Sequence, residues 1–448
     1  MDKNWAREEA YLILNNIITK DAYSNIEIRK RLNNSNLEKL DKALVTEIVN
    51  GTLRNLIYID WIIKKFSNIK LEKMDSSIKN ILRCGIYQIM FLDKIPDSAV
   101  CNESVELAKK YSSFGSSKFV NGLLRSVVRS KEKIGYPDKS DLSQFLSVRY
   151  SHPKWLVEIW LRDYGVEFAE ELMIGNNQVP PFIIRLNRLK TTKEELLQHL
   201  KASGITYREG LYNEEAINIR GTSSIENLEI FKKGYFSVQD ESSMLVGKIM
   251  NPKPGWRIID VCSAPGGKAA HMAELMNNEG FIVCRDIHEH KLELINKNSN
   301  RLGINIIETQ LFDAKDIDES YLCKADGVLV DAPCSGLGLL RRKTDIRWKK
   351  KPADLHELPK LQYRILENAS KYLKKGGVLL YSTCTLNKKE NMDIVRNFLA
   401  SNSDFYLDNI KSLIPQNLYA PNAEEGFLEL YPNVHNTDGF FIARIKKR

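Results

Sequence analysis

Two dipeptides in the C-terminal half, Pro333-Cys334 and Thr383-Cys384, each close a stretch that reads as a β-strand. Placed at the ends of strands in one sheet, both thiols can face a single pocket, and such a pocket suits covalent addition to a ring followed by release. Upstream lies Asp260-Val-Cys-Ser-Ala-Pro-Gly-Gly-Lys268, in which a strand runs through a Gly-rich turn into a helix. That arrangement cradles a nucleotide-like cofactor. Together these residues point to methylation of a pyrimidine.

The chemistry defines what each group must do. Carbon 5 of cytosine is a poor nucleophile, and a thiolate added at carbon 6 makes carbon 5 enamine-like and able to attack a sulfonium methyl. Afterwards the proton at carbon 5 must leave and the thiolate must be eliminated. The sequence of steps needs a nucleophile, a group that holds or protonates the ring, and a base for release. Cys384, Asp331 and Cys334 supply these chemical types.

The expected strands end in acids, which defines the cofactor side. Asp260 ends the first and precedes Pro265-Gly266-Gly267, whose missing side chains let backbone amides approach a ligand. Asp286 ends the second, where an acid suits ribose hydroxyls, and Asp313 follows the third, within reach of an adenine amino group. Phosphate motifs are absent: Ala269 follows Gly267-Lys268, Cys262 stands where a Walker A motif needs its first Gly, and there is no G-x-G-x-x-G. A dinucleotide or triphosphate is disfavoured, and S-adenosyl-L-methionine, which carries no phosphate, fits better.

Positioning these groups takes several elements. With 448 residues and 43% hydrophobic content the chain can form two or three domains with a substantial core. Residues 1–132 read as a helical bundle, with apolar positions such as Ile78, Ile81, Leu82, Ile86 and Ile89 at helical spacing and Asp97 as an expected N-cap. Residues 133–169 read as a linker and connecting helix, with Ser151 expected as the cap of Ser151-His-Pro-Lys-Trp155. Residues 170–235 read as a small α+β module, with a strand at Phe182–Asn187 and a capping box at Thr192-Lys-Glu-Glu195 opening a helix that stops near Gly204. Over 236–448 strands and helices alternate, predicting a doubly wound, Rossmann-like α/β domain with strands at 256–260, 281–286, 306–311, 327–331, 378–382 and 440–445. Helices are expected at 268–276, 291–302 and 361–373.

A net charge of +9 permits a polyanionic partner. The densest basic run, Arg341 to Lys351, follows Pro333-Cys334 and offers Arg341, Arg342, Lys343 and Arg347 to RNA phosphates and Trp348 to a base. Seven Cys without C-x-x-C spacing argue against a disulfide framework and a zinc site, and Cys84, Cys101, Cys284 and Cys323 read as structural, most of them buried apolar fillers. Seven scattered His give no metal cluster. The start, Met1 to Glu9, is charged, and no stretch reaches the roughly 18 apolar residues of a membrane span, so a cytoplasmic protein is expected, with a monomer as the default.

Two resemblances add to this reading. Ile95-Pro-Asp-Ser-Ala-Val-Cys-Asn-Glu-Ser-Val-Glu-Leu-Ala-Lys-Lys110 and Lys118-Phe-Val-Asn-Gly-Leu-Leu-Arg125 resemble the NusB antitermination factor family, which implies RNA binding by the helical region; the other reading is a bundle that only buttresses the second half. The segments Asp260–Lys268, Asp331-Ala-Pro-Cys-Ser-Gly336, Arg341-Arg-Lys-Thr-Asp-Ile-Arg-Trp348 and Tyr381-Ser-Thr-Cys-Thr385 resemble the Sun family of RNA cytosine-C5 methyltransferases. Phe236-Ser-Val-Gln-Asp-Glu-Ser-Ser243 and Arg185-Leu-Asn-Arg-Leu-Lys190 resemble its segments before the core, and the NusB-like front narrows the resemblance to the bacterial RsmB type, which acts on 16S ribosomal RNA. This resemblance implies Cys384 as nucleophile and Cys334 as the thiol that assists release. It implies an S-adenosylmethionine site made by Cys262, Ser263, Ala264, Pro265, Gly266, Gly267, Lys268, Asp286, Asp313 and Asp331, with Ser263 standing where the family often has Ala. The implied partner is 16S ribosomal RNA, free or in an assembling small subunit. Methylation of transfer RNA or another ribosomal site, a non-catalytic assembly factor, and a DNA methyltransferase using the Pro-Cys thiol are the competing readings.

Overall fold

The computed structural model describes residues 5–221 and 225–448, so the first four residues of the charged start lie outside the described residues. The chain forms two compact units, one of residues up to Gln178 with Leu340–Lys350, the other of Val179–Leu339 with Lys351–Arg448.

The first unit is helical. Its helix Ser76–Phe91 begins where the Asp75 carboxylate accepts from the N–H groups of Ser77 and Ile78 at 2.9 and 3.1 Å, satisfying two donors that the helix itself leaves open. The expected apolar line Ile78, Ile81, Leu82, Ile86 and Ile89 is buried. Two caps differ from expectation. Asp97 is the first residue of helix Asp97–Tyr111 and Pro96 holds the cap position, so the acid acts on the helix dipole from inside the first turn. Ser151 has φ 51° and closes the preceding helix Leu142–Tyr150, because Pro153 starts the next one, Lys154–Tyr164. A further helix, Val166–Asn177, completes this stretch, which holds more helix than the single connecting one expected.

The second unit contains two sheets. The smaller consists of β1 (Ile183–Leu186), β2 (Thr206–Glu209), β3 (Ala216–Arg220) and β4 (Phe236–Val238), antiparallel in the order β2-β3-β1-β4. Helix Lys193–Ala202 covers one face, packing Leu196 and Leu200 on Ile184, Leu186, Ile217, Ile219 and Phe236. Thr192 caps that helix by accepting from the Glu195 N–H at 3.3 Å, while the Glu195 carboxylate takes the Thr191 hydroxyl at 2.7 Å, so only half of the capping box forms.

The larger sheet comprises β5 (Arg257–Asp260), β6 (Phe281–Asp286), β7 (Ile307–Leu311), β8 (Ala325–Asp331), β9 (Leu373–Thr383), β10 (Phe405–Leu407), β11 (Phe427–Leu430) and β12 (Phe440–Lys447). Its order is β10-β12-β9-β8-β5-β6-β7 with β11 paired to β12. Strands β5 to β9 are mutually parallel, and β12 is antiparallel to β9. Helices Glu241–Met250, Gly267–Leu275 and Glu289–Leu302 pack on one face, and Asp354–Ser370 and Met392–Ser401 on the other, giving the expected doubly wound core with an antiparallel edge. The helix expected at 361–373 starts earlier, at Asp354, because Pro359 is accommodated inside it. No helix of the described residues is long and apolar enough to cross a membrane.

Candidate active site

Strand β5 lies between β6 and β8, so the chain winds away from it in both directions and leaves a crevice at the carboxyl ends of the strands. A cavity of about 450 Å³ opens there, lined by Cys262, Ala264, Asp286, Asp313, Asp331, Cys334 and Cys384 among others. Ser263, Pro265, Gly266, Gly267 and Lys268 belong to the turn that leads from β5 into helix Gly267–Leu275.

That turn needs Gly266. Gly266 has φ +91°, and a Cβ there would lie 3.1 Å from the Ile295 side chain. A Cβ built on Gly267 meets nothing within 4 Å, so the start of the helix is open on that side. The buried Asp260 accepts from the Cys262 N–H at 3.4 Å through Oδ1, and its Oδ2 has no hydrogen-bond partner. Burial, and then the negative charge of Asp331, push the Asp260 carboxyl up to about 7. Asp286 accepts from the His288 N–H at 3.0 Å and from Lys291 Nζ at 3.4 Å. Although burial opposes it, hydrogen bonds from the Lys315 N–H at 3.0 Å and from its ammonium at 3.0 Å hold the Asp313 carboxyl below its ordinary value. A glycine turn beside the cavity and two acceptor carboxylates in its lining, Asp286 and Asp313, fit a cationic ligand that carries hydroxyls and an amine.

On the other side of the cavity the two thiols meet, with Sγ of Cys334 and Cys384 3.1 Å apart. The hydrogen bond to Cys384, then burial, then the charges of Glu390 and Asp331 push the Cys334 thiol well up. Asp331 is fixed at both oxygens: Lys268 Nζ donates to Oδ2 at 2.6 Å and the Ser382 hydroxyl to Oδ1 at 2.9 Å. Sequence reasoning missed Ser382 and Arg185. Arg185 is fully buried on β1, pairs with Glu274 at 2.7 Å and donates to the Gly267 carbonyl at 3.1 Å, so the small sheet grips the glycine turn. An Arg amid an apolar strand run was the available signal.

The basic run corrects an expectation. Arg341 and Arg347 are buried, Arg342 and Trp348 are half-buried, and Lys343 is exposed. Arg347 donates to the carbonyls of Arg54, Ser151 and Asn176 at 3.3, 3.1 and 3.2 Å and to Asn177 Oδ1 at 2.9 Å, and Trp348 Nε1 donates to the Leu53 carbonyl at 2.9 Å. The run therefore anchors within the helical unit, because a guanidinium fork satisfies the carbonyls that helix ends leave open. Cys323 also differs from the expected apolar fillers: it is exposed, at φ 54°, whereas Cys84, Cys101 and Cys284 are buried.

Comparison with known proteins agrees with this geometry. Residues 247–446 match the 16S rRNA methyltransferase RsmB/F family, residues 4–129 the NusB family, and residues 152–226 the ferredoxin-like domain of the RsmF/B-like methyltransferases. A probable ribosomal RNA small subunit methyltransferase B of Bacillus subtilis (strain 168) is 38% identical over 454 residues, covering 100% of both chains. The ribosomal RNA small subunit methyltransferase B of Shewanella oneidensis is 34% identical and covers 91% of each. Among solved structures, a methyltransferase homolog protein from Pyrococcus horikoshii superposes with a TM-score of 0.60 at 30% identity, covering 69% of this chain and 99% of its own. The crystal structure of PH0851 covers 99% of both chains with a TM-score of 0.84 at 25% identity. With full-length relatives above 30% identity, the chain belongs to the ribosomal RNA small subunit methyltransferase B family.

Proposed function

We propose that this methyltransferase moves a methyl group from S-adenosyl-L-methionine to carbon 5 of a cytosine in 16S ribosomal RNA, through a covalent bond between Cys384 and carbon 6. The observation that carries this reading is the pair of thiols 3.1 Å apart beside the Asp331–Lys268 ion pair, in the same cavity as Asp286 at the end of β6 and Asp313 after β7. When bound, S-adenosyl-L-methionine supplies an electrophilic sulfonium methyl. Asp286 would hold its ribose hydroxyls, Asp313 its adenine amino group, and the Cys262–Lys268 turn its remaining length.

The raised Cys334 thiol keeps its proton, and with its sulfur 3.1 Å from that of Cys384 it can donate to a Cys384 thiolate, a charge the Lys268 ammonium also favours. Cys384 forms the sulfur–carbon 6 bond while Asp331, fixed by Lys268 and Ser382, holds the ring. Carbon 5 then takes the methyl group. Once Cys384 is held as a thioether it no longer shares the hydrogen bond with Cys334, and the Cys334 thiol, which lines the open cavity, can release its proton to solvent. As a thiolate it takes the carbon 5 proton; the electron pair of that C–H bond restores the carbon 5–carbon 6 double bond, and Cys384 leaves as thiolate.

Wild-type, Cys384→Ala and Cys334→Ala proteins incubated with the donor and unmethylated 16S ribosomal RNA test this on a denaturing gel. Cys384→Ala should neither methylate nor crosslink, and Cys334→Ala should accumulate a protein–RNA adduct. Normal methyl incorporation by Cys384→Ala would sink the assignment. Equal incorporation into transfer RNA would move the substrate.

A further inference from the structure

Glu390 is fully buried, and nothing in the steps above uses it. It ends the short turn Lys388–Glu390 that follows the Cys384 loop. Its Oε2 accepts from the Ser335 N–H at 2.8 Å and from Gln362 Nε2 at 3.0 Å, and its Oε1 from the Ser335 hydroxyl at 2.6 Å and Asn387 Nδ2 at 2.9 Å. All four donors are uncharged. Only a group that accepts and never donates satisfies four such partners, and a Gln would turn its own N–H groups against two of them. A carboxylate buried at this depth is tolerated because its lone pairs are filled, and a filled buried network specifies one geometry.

The placement of these partners relative to the thiols is the informative part. Ser335 directly follows Cys334, and Gln362 Nε2 also donates to the carbonyl of Pro333, which directly precedes it, at 3.0 Å. Cys334 is thus gripped on both sides through one carboxylate. The Ser335 hydroxyl also lies 2.7 Å from the hydroxyl of Thr385, which follows Cys384. Cys384 has a separate brace: Asn391 Oδ1 accepts from the Thr383 hydroxyl at 2.5 Å and its Nδ2 donates to the Thr385 carbonyl at 3.0 Å. Loss of the Glu390 contacts would therefore free the Cys334 loop while Asn391 and β9 still held Cys384.

We infer that Glu390 is a positioning residue that sets Cys334 against Cys384 and governs the release half of the reaction more than the addition half; this rests on the roles proposed above for the two thiols. Glu390→Gln should lower kcat by about 10- to 100-fold, as expected for a misplacement near 1 Å, with KM for donor and RNA within about twofold of wild type. On the denaturing gel it should show a protein–RNA adduct that accumulates and then resolves slowly, unlike the lasting adduct of Cys334→Ala. Ser335→Ala, which keeps the charge and removes one donor, should shift adduct lifetime in the same direction by less, and it decides the matter if Glu390→Gln does not fold. Wild-type adduct lifetime in either folded variant, or a loss expressed only in KM, overturns the inference. If Cys334→Ala traps an adduct while the Glu390 and Ser335 variants behave as wild type, the role of Glu390 alone fails. If Cys334→Ala traps nothing, the covalent reading fails and this inference with it.

Discussion

At the end of β5 the Asp260 carboxyl, raised to about 7 by burial and then by Asp331, holds a proton that an unfolded chain releases near pH ~4. Its contribution to stability is present below the unfolded value and is lost as pH rises through about 7, since the folded state binds more protons across that window. A cationic methyl donor bound beside the β5 turn would reverse the preference by favouring the ionised form. Donor affinity of the wild-type protein should therefore rise, by up to about tenfold between about pH 6 and 8, as the carboxyl ionises. Calorimetric titration across that range checks it: Asp260→Asn should flatten the dependence, and a flat wild-type profile would remove Asp260 from donor binding. Residue types at strand ends were legible in the sequence because acids and thiols there have few structural uses. The raised value of Asp260 was not, because it depends on Asp331, which belongs to β8.

At the scale of elements, three segments are knitted behind the thiols. The Gly338 N–H donates to the Cys384 carbonyl at 2.9 Å, and the Gly439 N–H, just before β12, donates to the Gly338 carbonyl at 2.8 Å. A Cβ on Gly338 would fall 1.9 Å from the Gly439 carbonyl oxygen and 2.9 Å from that of Cys384. Gly338→Ala should cost about 1–3 kcal/mol or more by overpacking and depress turnover with it. Gly122→Ala, in helix Phe114–Ser130 where a Cβ meets nothing within 4 Å, should be neutral or stabilising by up to about 1 kcal/mol. Thermal melts and initial rates of both variants check the contrast, and a Gly338→Ala protein with wild-type melting and turnover would refute the knitted arrangement. Six strands of the large sheet were visible from their apolar runs, whereas β10 and β11 were not, being short and defined by pairing with β12.

Across the whole molecule, the basic run after Cys334 leaves the catalytic unit at Leu340 and belongs to the helical unit until Lys350. Arg347→Ala would strand several buried carbonyls at once and should destabilise the helical unit by about 3 kcal/mol or more. Differential scanning calorimetry should then show an earlier transition, and an unchanged melting profile would contradict the anchoring role. Lys343 is an exposed cation of the run. If it meets phosphate, Lys343→Ala should reduce the slope of log affinity against log salt for RNA by about one. An unchanged slope would take Lys343 out of the RNA interface.

Local order and chemical type came from the sequence alone: helical and strand periods, the glycine turn, the acids and thiols at strand ends, and the family they resemble. These follow from neighbours a few residues apart, whose spacing dictates backbone shape. Burial and partnership came only with the tertiary structure, which set Cys334 3.1 Å from Cys384, put Glu390 against Ser335, and turned Arg347 inward. The reason is physical: a side chain's charge state and hydrogen bonds depend on atoms brought to it by distant segments, and the same Arg-rich string that would bind phosphate in water binds helix-end carbonyls when the fold excludes water from it.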